Sequence, residues 1–305
     1  MYTPILSRPI ATIIFSLGLV ASTQPAFAAP LFQVQGAAQD FFDKSSSLAL
    51  SDASLFTFGK TDPISGHSFD VVDNAIASAG PDGLHADANT RFFSDNPVGA
   101  GSRITAGAQA FMFLDDVMIG GPAGGTIITS YRVHLSGTLE ADKNVQITSP
   151  NTSRASATVS VGLSASNLNG NLILLNTIGA QKESGQPQVS DDQLQNLIGG
   201  SNLTSASFSV TANKTFTVEL MLAASAISQL GADDTGSATA AAHFGSTLTF
   251  ATDGPVFDLP AGYTANSISG NIADNHFALA PIPLPAAIWL LGSALGCIGF
   301  ARRRA

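Results

Sequence analysis

Two stretches of this chain alternate strictly between larger or apolar and polar side chains. Such alternation requires an extended strand with one face buried. In Leu203–Leu220, Phe208, Val210, Phe216, Val218 and Leu220 share one parity, and in Ala155–Leu163 the residues Ala155, Ala157, Val159, Val161 and Leu163 do the same. A helix would scatter these residues around its circumference, because its faces recur every third and fourth residue. Further strands are predicted over Ile104–Leu114, Ile127–Leu139, Val145–Thr148 and His243–Phe250, with a final pair at Val256–Leu259 and His276–Leu279. Gly120-Gly121-Pro122, Gly124-Gly125, Asp253-Gly254-Pro255 and Pro260-Ala261-Gly262 punctuate them as turns.

Many short strands with frequent turns predict a mainly β chain. The expected fold is an antiparallel β-sandwich, jelly-roll-like or immunoglobulin-like. Abundant Ala, Ser and Thr on the strands predict thin, polar outer faces. One short inserted helix is expected, with Ser190-Asp191-Asp192-Gln193 as its cap, Leu194, Leu197 and Ile198 as its apolar face and Gly199-Gly200 as its stop. It falls in a long connection from Gly179 to Ser201. The segment Leu31–Asp62 is less regular. Its Phe32, Phe41, Phe42, Phe56 and Phe58 supply enough apolar mass to dock on the sandwich, so residues 29–280 read as one domain without internal repeats.

The start of the chain has a different character. Arg8 precedes the apolar run Ile10–Ala21, and Ala26-Phe27-Ala28 has the small-x-small form of a cleavage site. A run of about a dozen residues suits the core of a signal peptide and is short for a membrane span. Residues 1–28 are therefore expected to be a signal helix that a signal peptidase removes between Ala28 and Ala29.

The end of the chain reads Pro281-Ile282-Pro283-Leu284-Pro285, then an uncharged run Ala286–Ala301, then Arg302-Arg303-Arg304. The prolines stop any preceding element, since each lacks an N–H and fixes φ. The 16-residue run contains Trp289, Gly292, Gly296 and Gly299 and is marginal in length for a membrane helix. The arginines would hold the cytoplasmic side, leaving the body outside.

This tail resembles the PEP-CTERM sorting signals of Gram-negative bacteria, and within them the VPLPA-CTERM variant. The matching residues are Ile282-Pro283-Leu284-Pro285-Ala286, Trp289-Leu290-Leu291 and Gly299-Phe300-Ala301-Arg302-Arg303-Arg304, about 25 of 305 residues with the spacers between them. Ile282 stands where valine is usual. Leu284 stands where the main family has glutamate, and this places the tail in the variant class. The resemblance implies that residues 281–305 anchor the chain briefly in the inner membrane. It also implies that an exosortase-type enzyme recognises the proline motif, and that the released protein goes to the cell surface or the exopolysaccharide matrix.

Between the two ends lie 280 − 28 = 252 residues, enough for one large β domain. All 22 acidic residues fall there, with 13 − 4 = 9 of the basic ones, so the body carries 9 − 22 = −13. A charge of this sign argues against nucleic acid and against docking on anionic lipid. The only cysteine, Cys297, belongs to the tail, so the body has neither disulfides nor thiolate chemistry. Acidity is carried by 19 Asp against 3 Glu, a bias toward turns and loops over helices.

The body carries no sequence pattern for a specific reaction. Gly59-Lys60-Thr61 has the end of a phosphate loop, but Ser54 stands where its first glycine belongs. No nucleophile-elbow, Ser-x-x-Lys or His-Glu-x-x-His pattern occurs. The five histidines are scattered, with His134 and His243 predicted on strands and His67 and His85 in loops. Acidic residues pair at Asp115-Asp116, Asp191-Asp192 and Asp233-Asp234. Asp70-Asp73-Asn74 and Asp82…Asp87 are expected in turn-rich loops, where a weak Ca²⁺ site is conceivable, although no Asp-x-Asp-x-Asp-Gly loop is present. A sugar-stacking platform is disfavoured, because the body has no tryptophan and only Tyr131 and Tyr263. The expectation is a non-enzymatic surface or matrix protein with no cofactor and with exopolysaccharide as a candidate partner. The alternatives are a carbohydrate-binding module of the same fold and a secreted hydrolase, whose two carboxylates would have to converge on one sugar.

Overall fold

The structure is a computed structural model. It describes residues 31–39, 45–51, 56–61, 69–80, 82–95, 102–122, 124–146, 153–186, 189–190, 200–231 and 234–278. The signal peptide, the inserted-helix residues Asp191–Ile198 and the tail, with every site residue named for the two ends, lie outside this set. Among the described residues there is no helix.

The chain runs through β1 (Leu31–Gln39), β2 (Ser45–Ser51), β3 (Phe56–Thr61), β4 (Phe69–Gly80), β5 (Gly83–Ser94), β6 (Ser102–Gly120), β7 (Thr126–Thr129), β8 (Arg132–Leu135), β9 (Thr138–Gln146) and β10 (Arg154–Ser166). It continues through β11 (Leu172–Glu183), β12 (Val189–Ser190), β13 (Ser201–Thr204), β14 (Phe208–Thr211), β15 (Thr215–Leu230), β16 (Thr235–Phe250), β17 (Thr264–Asn266), β18 (Ile272–Ala273) and β19 (His276–Phe277). All pairings are antiparallel. The first sheet has the order β12-β11-β10-β15-β6-β1-β2, with β17 also on β6, and the second has β13-β8-β16-β5-β4-β3, with β9 also on β16. The two stack face to face, with β5 and β16 over β6 and β15, an arrangement consistent with a β-sandwich.

Inward residues change size along the strands. On β15 they run Phe216, Val218, Leu220, Leu222, Ala224, Ala226 and Ser228, all buried. On β16, running the other way, they are Ala238, Ala240 and Ala242, then Phe244, Leu248 and Phe250. Ala106, Ala108 and Ala110 on β6 and Ala86 and Ala88 on β5 continue the small end. There the sheets come close enough for one serine to span the gap. Ser228 Oγ donates to the Thr90 carbonyl at 3.1 Å and lies 2.8 Å from Thr90 Oγ1, with both residues fully buried. The thick end is filled by aromatic rings. Tyr131 meets Phe208, Phe250 and Phe257 edge-on at centroid distances of 6.0–6.3 Å.

Several expectations are corrected. Leu31–Asp62 is no irregular appendage, since it supplies β1 and β2 to one sheet and β3 to the other. Asp70, Asp73 and Asn74 lie on β4, and His85 and Asp87 on β5, so only Asp82 sits in the turn of that hairpin. Ile127–Leu139 divides into β7, β8 and the start of β9. The connection expected from Gly179 is strand β11 as far as Glu183. The alanines face inward and form the core at its thin end, while it is mainly Ser and Thr that face out.

Candidate functional site

The outer face of the second sheet carries the densest array of hydrogen-bonding side chains. On β5, Leu84, Ala86, Ala88, Thr90 and Phe92 point in, which turns His85, Asp87, Asn89 and Arg91 out. Register then builds rows across the strands. Thr138, His243 and Asp87 stand side by side, as do Glu140, Ala241, Asn89 and Asn74, and Asp142, Thr239 and Arg91. His243 Nδ1 and Asp87 Oδ1 are 2.7 Å apart on this half-exposed surface. Amide, carboxylate, guanidinium and hydroxyl groups therefore converge on a sheet face whose middle row is kept low by Ala241. Such a surface can exchange hydrogen bonds with a hydroxyl-rich polymer. It contains no assembled nucleophile, base and orienting acid.

Other acids of the body serve as structural ties. Asp116 accepts from Ser267 Oγ at 2.6 Å, from Ser269 N at 2.9 Å and from Ser269 Oγ, fastening the Ser267–Phe277 hairpin onto β6. Burial alone would raise the pKa of Asp116. The hydrogen bonds from Ser267, Ser269 and the Ile268 N–H outweigh burial and hold it below the usual carboxylate value. Asp234, fully buried, accepts from Ser153 Oγ at 2.6 Å, while that oxygen accepts from Gly231 N at 2.9 Å. Asp253 takes Arg132 at 3.0 Å and Asn202 at 3.0 Å. Glu219 lies on the outer face of the first sheet, where burial raises its pKa.

Of the sequence candidates, Asp115 and Asp116 are neighbours on β6, Asp115 exposed and Asp116 held by the two serines. His134 and His243 are on strands as expected. Tyr131 is buried in the aromatic cluster, where its hydroxyl donates to the Ser164 carbonyl at 3.0 Å, so it offers no face to a sugar. Among the described residues no group of three or more His, Cys, Asp or Glu side chains is placed to hold a metal ion. The polar face of β5 and β16 was not singled out from sequence. The alternation in Leu84–Phe93 was the available signal, masked because its inward residues are largely alanine.

The fold and this surface define an all-β, antiparallel, acidic body with one polar sheet face. The chain matches no family model, no curated protein and no solved structure.

Proposed function

We propose that this chain is an exported, non-enzymatic protein of the cell surface or exopolysaccharide matrix, delivered by its signal peptide and sorted by its C-terminal tail. The tail carries the reading: a Pro283-Leu284-Pro285-Ala286 motif, a short apolar run with Trp289 and spaced glycines, and a terminal arginine cluster, in that order. In this reading signal peptidase cuts after Ala28, the tail helix rests in the inner membrane, and an exosortase-type enzyme then releases the body. The acidic, cysteine-free composition of residues 29–280 supports a domain that relies on its core in an extracellular setting. The strand number of the two sheets exceeds that of an immunoglobulin domain, which favours the jelly-roll-like alternative.

The test is intact-mass analysis of the protein released from cells with and without their exosortase. A released form ending near Pro283–Pro285 only when the enzyme is present supports sorting. A full-length chain held in the membrane in both cases overturns it. One observation favours a carbohydrate-binding role as the second reading: the rows of Asn74, Asn89, Arg91, Thr239, Glu140 and Asp142 on one sheet face. Pull-down on the host's exopolysaccharide, lost in an Asn89→Ala/Arg91→Ala variant, would establish it. Equal retention of wild type and variant would remove it.

A further inference from the structure

Seven large apolar side chains stand exposed among the described residues, and four of them occupy the tip of one hairpin: Leu168, Leu172, Ile173 and Leu174. Leu174 is 64 % exposed. The tip is firmly built. Asn167 Oδ1 accepts from Asn169 N at 2.9 Å and Asn171 N at 3.1 Å, and Asn167 N donates to the Asn171 carbonyl at 2.8 Å. Gly170, at φ +79°, closes the turn in a conformation that favours glycine. These apolar groups are thus presented by an ordered β10–β11 hairpin.

The strand that carries them is open along one side. β11 pairs with β10 through its whole length, but on its other side β12 meets only Ala180 and Gln181. Among the described residues no strand pairs with Leu172–Leu175 on that side. Soluble sheets guard such edges with charge, proline or a covering segment. Here the 27 residues from Ala155 to Gln181 contain no charged residue and no proline.

The chemistry of the edge selects its occupant. Unpaired backbone N–H and C=O groups require another strand, which a lipid surface cannot supply. A basic partner would be drawn to the acidic surface elsewhere and not to an uncharged hairpin. Two copies of a chain with net charge −9 repel each other except where charge is missing, and the hairpin is such a place. The run Leu172-Ile173-Leu174-Leu175 is also apolar in either direction, as an antiparallel contact about a twofold axis demands.

We propose that the open edge of β11 at Leu172–Leu175 pairs antiparallel with the same edge of a second copy of this chain. The contact is short and belongs to the weak class of interfaces. Salt strengthens it by screening the repulsion between the acidic bodies.

Sedimentation velocity of the full chain over a dilution series is expected to show a monomer–dimer equilibrium. An Ile173→Lys/Leu174→Lys variant is expected to weaken association about tenfold or more while keeping the wild-type far-ultraviolet circular dichroism. Hydrogen exchange on the wild type gives a second reading that needs no substitution. Amides of Leu172–Leu175 should slow as concentration rises, while those of β6 stay constant. Three results would overturn the proposal: a wild type that stays monomeric with no concentration-dependent protection, a dimer indifferent to the lysines, or a monomer that instead binds phosphatidylcholine vesicles through the tip. The second would place the contact in another part of the chain.

Discussion

Asp116 shows how a single acidic residue becomes a structural part. An exposed strand aspartate would gain little, but here two hydroxyls and two backbone N–H groups converge on one partly buried carboxylate. Because the folded pKa lies below the model value of 3.8, its contribution is complete above the unfolded pKa and is lost as pH falls through the lowered folded value. Asp116→Asn is therefore expected to cost about 1 kcal/mol near neutrality, a modest figure because the carboxylate keeps contact with solvent. Urea denaturation from pH 7 downward should show the gap between wild type and variant closing below about pH 4. A gap that stays constant to pH 2 would mean that Asp116 contributes through packing and not through its charge.

At the scale of strands, the alanine-lined zone is the most demanding part of the molecule. Where Ser228 reaches the main chain of β5 directly, there is no space for a longer side chain. Ala108→Leu, at a fully buried inward position on β6, is expected to destabilise by about 1–3 kcal/mol through overpacking. Ala223→Leu, on the outer face of β15, should change stability by less than about 0.5 kcal/mol. Thermal denaturation of the two variants side by side checks this, and equal effects would contradict the inward assignment. The same zone explains what the sequence revealed and what it hid. Strands with Phe, Val and Leu on one parity, such as Phe208–Leu220, were legible because their inward residues contrast with their outward ones. β4 and β5 were not, because Ala75, Ala77, Ala86 and Ala88 resemble their polar neighbours in size and helix propensity, while Asp70, Asp82 and Asp87 suggested loops. The polar face followed the same fate: His243 and Asp87 are 156 residues apart in sequence, and only the β16–β5 register brings them together.

For the whole molecule the governing quantity is charge. The body's excess of carboxylates over cations produces a field that opposes compaction, while the attractive pairs are few and exposed. Arg132–Asp253 at 3.0 Å and Arg154–Glu183 at 3.1 Å both keep substantial solvent contact, so each is worth roughly 0–1 kcal/mol. Screening should therefore remove more repulsion than attraction. Raising sodium chloride from about 10 mM to about 0.5 M shortens the screening length from about 30 Å to under 5 Å, and the unfolding midpoint is expected to rise. Sodium chloride at fixed pH is the suitable probe, since sulfate would also strengthen apolar burial and confuse the two effects. A midpoint that falls with salt would show that local pairs outweigh the global field. Salt should also raise the dimer fraction in the wild type but not in the Ile173→Lys/Leu174→Lys variant. The two salt effects then separate cleanly, because stabilisation of the fold is shared by both proteins and promotion of the edge contact belongs to one.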